Sequence, residues 1–197
     1  MTAVDVGRGT AVAGPAPAPR AGLGRRLGAV VYEALLLGAI ALVVEFALLP
    51  VTGPSGVGPG VQSRLYVPSA SARWLSFACL FLLCGAYFAW SWSEGRRTLP
   101  MKTWRLGLRT TRGSLVGLGS ALVRYLACWI GPALALIAFI GLERRGLGPW
   151  ASALAMFNFA WVLIDPDRQF LHDWIAGTRL VLAPSPPSSA VRQPIVD

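Results

Sequence analysis

Residues 27–49 read LGAVVYEALLLGAIALVVEFALL, 23 positions in which only Glu33 and Glu45 carry charge. About 20 predominantly apolar residues rise far enough as an α-helix to cross the hydrocarbon layer of a bilayer. A helix also satisfies its own backbone groups where no water can. This run is therefore expected to span a membrane. Three more apolar runs follow, at 74–92, 121–141 and 148–164. The second has aromatic residues at both ends, Trp74 and Trp92, as expected of headgroup-level anchors. The third carries Arg124 near its start and Gly131-Pro132 in its middle, which predicts a kink. The fourth, of 17 residues, lies at the short end of spanning length. Between the first two, residues 51–73 hold Pro54, Pro59 and Pro68 and read as a polar loop.

The rest of the chain agrees with this reading. Of 197 residues, 54% are hydrophobic and 14% charged, against about 25% charged in soluble domains. The length suits one domain. Residues 1–22, rich in Ala, Gly and Pro, are expected to form a disordered cytoplasmic tail, 23–183 the transmembrane domain, and 184–197 a second disordered tail. The first apolar run follows the Pro-rich stretch and exceeds signal-peptide length, so no cleaved leader is expected. The fold class expected is an all-α membrane protein, a bundle of four transmembrane helices with a short cytoplasmic amphipathic helix.

The net charge of +9 comes almost wholly from arginine, Lys102 being the one lysine. These charges sit beside the apolar runs, which matches topology control and anionic lipid headgroups rather than nucleic acid. Thirteen basic residues fall on the side of the two tails and the middle loop, and four (Arg64, Arg73, Arg144, Arg145) on the other. That asymmetry predicts both termini in the cytoplasm and residence in the inner (plasma) membrane. Cys79, Cys84 and Cys128 lie in apolar runs without metal-ligand spacing and read as small hydrophobes. No metal and no cofactor is expected.

Two stretches stand apart from the lipid-length runs. In GRRTLPMKTWRLGLRTT, residues 95–111, Trp104, Leu106 and Leu108 alternate with Arg105, Gly107 and Arg109 in strand-like period two. In DPDRQFLHDWIAGTRLVL, residues 165–182, Asp165 can cap a helix with Pro166 at its first position, and Gly177 suits its end. Phe170, Leu171, Trp174 and Ile175 would share the membrane face of that helix, leaving His172 and Asp173 off it. The strand-like pieces 104–109 and 178–182 are each marginal alone, so pairing into a two-stranded ribbon is expected.

At these residues the chain resembles the RDD family of small multi-pass membrane proteins. Gly24-Arg25-Arg26-Leu27 with Tyr32-Glu33 resembles its opening motif, Thr98-Leu99, Met101-Lys102 and Leu106 its middle motif, and Leu171-His172-Asp173 with Ala176-Gly177-Thr178 its closing one. The chain departs from the family at Glu33, where Asp is usual, and at Pro100, where many members have Gly. The resemblance implies a membrane location and an unsettled role, transport being the usual suggestion. It implies no reaction.

Glu33 lies about 10 Å into its span, where a carboxylate costs on the order of 2–3 kcal/mol. A partner, a wet pocket or a proton must offset that cost. Arg124 is the expected partner. Together Arg26, Glu33, Arg124 and Asp173 are expected to form an inward-facing polar cluster, either a structural ion-pair set or an ion- or proton-binding site. Asn158, in mid-span, is expected to hydrogen-bond between helices. His172-Asp173 is not read as catalytic, because neighbours point about 100° apart on a helix and no nucleophile accompanies them. The chain is therefore expected not to be an enzyme. Its function is read as a transporter or ion-exchange component, and alternatively as a membrane scaffold or assembly factor. No inverted repeat is evident, so a homo-oligomer is the expected source of further helices.

Overall fold

The computed structural model describes residues 19–53 and 67–183, so most of both expected tails lies outside the described residues. Helix α1 runs Leu23–Thr52 and α2 Ala70–Trp92, opened by the Ser69 hydroxyl accepting from the Ala72 N–H. A single turn, α3 (Leu99–Thr103), leads into strand β1 (Leu106–Thr110). Thr98 caps that turn, and Pro100 sits in it where its missing N–H is not needed. The residue that departs from the family thus needs no positive φ. The left-handed positions fall on Glu94, Gly95 and Arg105 instead.

The third apolar run is α4 (Leu118–Cys128) followed by α5 (Ile130–Leu142), broken at Trp129. The break follows from Pro132, which cannot donate to the Cys128 carbonyl. Asn158 takes over, donating its amide to Cys128 O at 2.7 Å and Ala127 O at 3.1 Å.

The fourth run is not the continuous α-helix expected. Gly148–Met156 is 3₁₀, α6 covers only Phe157–Ala160, and Trp161–Leu163 is again 3₁₀. Three helical stretches among the described residues are long and apolar enough to cross a membrane: Leu23–Thr52, Ala70–Trp92 and the broken Leu118–Arg145. The fourth run is drawn tightly against α5 at Gly131, where an added Cβ would lie 2.5 Å from Ala155 O. Because the obstacle is backbone, Gly131→Ala should force the two segments apart. A cost of about 1–3 kcal/mol should appear as a melting temperature several degrees lower in detergent, while Gly141→Ala, with open space around it, should leave it unchanged.

After α7 (Leu171–Ile175) the chain enters β2 (Thr178–Leu182). The strands pair antiparallel, with Leu106 opposite Leu182 and Thr110 opposite Thr178. The expected ribbon is present, shifted to 106–110 because Trp104 and Arg105 close the α3 turn. Residues 19–21 add to its other edge: Arg20 bridges Val181, and Leu182 N donates to Pro19 O. The start of α1, the α2–α4 connection and the segment after α7 therefore meet at one end of the molecule. The buried core lies there, where Phe88, Trp92, Met101 and Tyr125 pack under Leu106 and Leu108. Away from it the helices present apolar side chains outward, Phe46 and Leu163 being 76% and 85% exposed.

Three expectations about side-chain placement are corrected. Trp92 is not a headgroup anchor but is 3% exposed, in the core, whereas Trp74 is 70% exposed. Around α7, Trp174 and Ile175 face outward together, but Phe170 and Leu171 do not share that face: they are buried with His172 and Asp173. Asp165 caps no helix; it accepts from the Gln169 N–H and ties off the turn before α7.

Candidate functional site

Four charged groups converge beneath the ribbon from three elements, α1, α4 and α7. Helix α1 carries Arg26 near its start and Glu33 two turns further on, seven residues apart and on one face. Arg124 projects from α4 and is 5% exposed. Asp173, wholly buried, comes from α7. Gly177 adopts a left-handed φ of +61°, which turns the chain sharply enough for Thr178 to reach back to Asp173.

Asp173 is the hub. Its Oδ1 accepts from Arg124 Nε at 2.8 Å and from the Thr178 hydroxyl at 3.3 Å. Its Oδ2 lies 3.7 Å from Arg26 Nη2 and 3.9 Å from His172 Nε2. Each arginine also rests on an aromatic face, Arg124 over Trp92 at 4.0 Å and Arg26 over Phe170 at 4.3 Å. Arg26 Nη1 donates to Arg168 O at 2.6 Å, a carbonyl aimed inward because Arg168 takes a left-handed φ of +51°. Stacking and backbone contacts of this kind offset part of the cost of burying two guanidiniums.

Burial alone would raise the Asp173 carboxyl; the Arg124 guanidinium, helped by Arg26, holds it below the usual carboxylate range. Burial drives the neighbouring His172 imidazole down to about 4, with the two arginines adding to the effect against Asp173. His172 is thus a neutral ring at pH 7, packed against Phe159 and Phe170.

Glu33 stands apart from this triad. Arg124 is engaged by Asp173, not by Glu33, which acts on that arginine only at longer range and faces Thr98. One carboxylate oxygen, Oε1, is buried without a protein partner. Glu33 also lines a cavity of about 470 Å³ between α1 and the other helices, whose charged lining is Arg26, Glu33 and Arg124 and whose walls are otherwise mostly apolar.

Of the middle-motif residues, Thr98 and Met101 are buried beside this region, while Lys102 is exposed and takes no part. Of the closing motif, His172, Gly177 and Thr178 all belong to the Asp173 surroundings. The residues that sequence reasoning missed are Trp92, Phe170 and Arg168. Trp92 reads from the sequence as an interfacial anchor and Phe170 as part of an apolar helix face, while Arg168 carries no signal. Among the described residues no group of His, Cys, Asp and Glu has a metal-binding arrangement.

The RDD family model matches residues 20–177, which takes in α1, the ribbon's first strand, both arginines, Glu33 and Asp173. No curated protein and no solved structure matches the chain.

Proposed function

This chain belongs to the RDD family of small multi-pass membrane proteins, and we propose that it is a non-enzymatic transporter or ion-exchange component with Glu33 as the exchanging group. The observation that carries this reading is the uneven sharing of four charges. Arg26, Arg124 and Asp173 engage one another, whereas Glu33 lines the cavity and has one buried oxygen without a protein partner. Intramembrane acids of that kind mark ion and proton pathways. In a mostly apolar cavity, gain or loss of one proton or cation at Glu33 changes the local field strongly.

The same reading has four crossings of the plasma membrane and both termini in the cytoplasm. The meeting of residues 19–21, β1 and β2 supports an even number of crossings between each pair. The fourth run is short in residues, but 3₁₀ helix rises about 2.0 Å per residue against 1.5 Å, so its length still approaches a bilayer core. The basic excess lies at the ribbon end, which favours the cytoplasmic face and contact with anionic headgroups.

Purified protein in proteoliposomes, with imposed proton and cation gradients, tests the proposal. Glu33→Gln should reduce exchange more than tenfold with normal yield, and Glu33→Asp should keep most of it. Exchange that survives Glu33→Gln, or a wild type without flux, would overturn the reading and favour the scaffold alternative.

A further inference from the structure

The charged triad also borders a second, much smaller space. There, between the turn before α7, the ribbon and the start of α1, lies a chamber of about 10 Å³ lined by Arg20, Arg26, Asp167, Gln169, Asp173 and Arg179. Four of these side chains carry a buried polar atom with no hydrogen bond to the protein: Arg26 Nε, Arg179 Nε, Gln169 Oε1 and Asp173 Oδ2, the last in ion-pair range of Arg26 Nη2 at 3.7 Å. Gln169, Arg26 and Asp173 are 8%, 7% and 0% exposed, so bulk solvent does not satisfy them either.

The chemistry of the four atoms restricts what can bind. Two are N–H donors on guanidiniums and two are oxygen acceptors. A metal ion would meet two positive donors, and an anion would meet a carboxylate and an amide oxygen. A neutral molecule that accepts twice and donates twice fits all four. The volume admits about one molecule of water.

We propose that this chamber is the binding site of one structural water, accepting from Arg26 and Arg179 and donating to Gln169 and Asp173. The water joins α1, the turn before α7, α7 and β2, and it completes the surroundings of Asp173 Oδ2. The exposed Arg20–Asp167 pair, 2.6 Å apart, forms the outer wall through which it exchanges. The proposal is independent of any transport by Glu33.

Gln169→Met distinguishes a wet chamber from a dry one by sign. It keeps the side chain's length and removes the acceptor. In a wet chamber the water loses a partner and the melting temperature falls by several degrees. In a dry one, replacing an unsatisfied oxygen with an apolar group is neutral or stabilising. The cycle with Arg179→Met adds a readout that packing alone would not move: two residues coupled through one water should give a double variant less destabilised than the sum of the singles. A density peak within hydrogen-bonding distance of all four atoms in a high-resolution structure of the full chain is the direct expectation. An unchanged or raised melting temperature for Gln169→Met, additive variants, or side chains closed directly onto one another would overturn it.

Discussion

Asp173→Asn should remove most of the folded protein from the membrane. The substitution keeps the shape of the side chain but deletes the charge that lies between Arg124 at 2.8 Å and Arg26 at 3.7 Å. Two buried guanidiniums would then face each other without a nearby counter-ion. Breaking a buried pair from one side costs about 3–5 kcal/mol, a large share of the 5–15 kcal/mol typical of a whole domain. Asp167→Asn is the matched control. It removes a carboxylate from the Arg20 pair, whose side chains are 50% and 56% exposed. Such a pair is worth less than about 1 kcal/mol, so its loss should leave folded protein near the wild-type level. Quantifying folded, detergent-extracted protein for both variants gives the comparison, and equal losses would deny the hub role of Asp173.

Acid should loosen the molecule in a window set by His172. Its imidazole sits at about 4 in the folded chain against an ordinary value of 6.5. Above pH 6.5 the ring is neutral in both folded and unfolded chains and contributes no pH dependence. Between 6.5 and about 4 the unfolded chain takes up a proton that the folded chain refuses, so stability falls throughout that interval. The difference corresponds to about 3 kcal/mol. Asp173 acts in the same direction at lower pH, since its depressed carboxyl stabilises the fold until acid protonates it. A melting curve from pH 7.5 to 4.5 should drop steadily for the wild type. His172→Leu should flatten the part of the drop between 6.5 and 4.5, whatever its effect on stability at neutral pH.

How much of this was legible in the sequence depended on whether the cause was local. Residues 27–49 announce a membrane helix because length and apolarity suffice, and the structure carries α1 on to Thr52. The ribbon was legible too, since Leu106 and Leu108 alternate with polar neighbours and a second marginal strand was available to pair. The fourth run was not, because its 3₁₀ character accompanies the approach of Gly131 to Ala155 O, a contact between distant segments. Only half of the apolar face expected around α7 lies on the outside. Trp174 and Ile175 sit on the apolar exterior, whereas Phe170 and Leu171 turn inward with His172 and Asp173, where Phe170 carries the Arg26 guanidinium. The four charges Arg26, Glu33, Arg124 and Asp173 were recognisable as costly in lipid. Their division into a closed triad and a glutamate outside it rests on the stacking of the two arginines on Trp92 and Phe170 and on the Arg168 carbonyl, contacts that have no sequence signature.

That division of labour is the central claim, and one experiment reads both halves of it. Wild type, Asp173→Asn and Glu33→Gln are reconstituted at equal input, and folded protein and ion exchange are measured on the same vesicles. The account predicts that Glu33→Gln matches the wild type in folded protein while losing exchange more than tenfold. It predicts that Asp173→Asn loses folded protein, with exchange per folded molecule retained in what remains. Equal folding losses for both variants, or full exchange by folded Glu33→Gln, would contradict it.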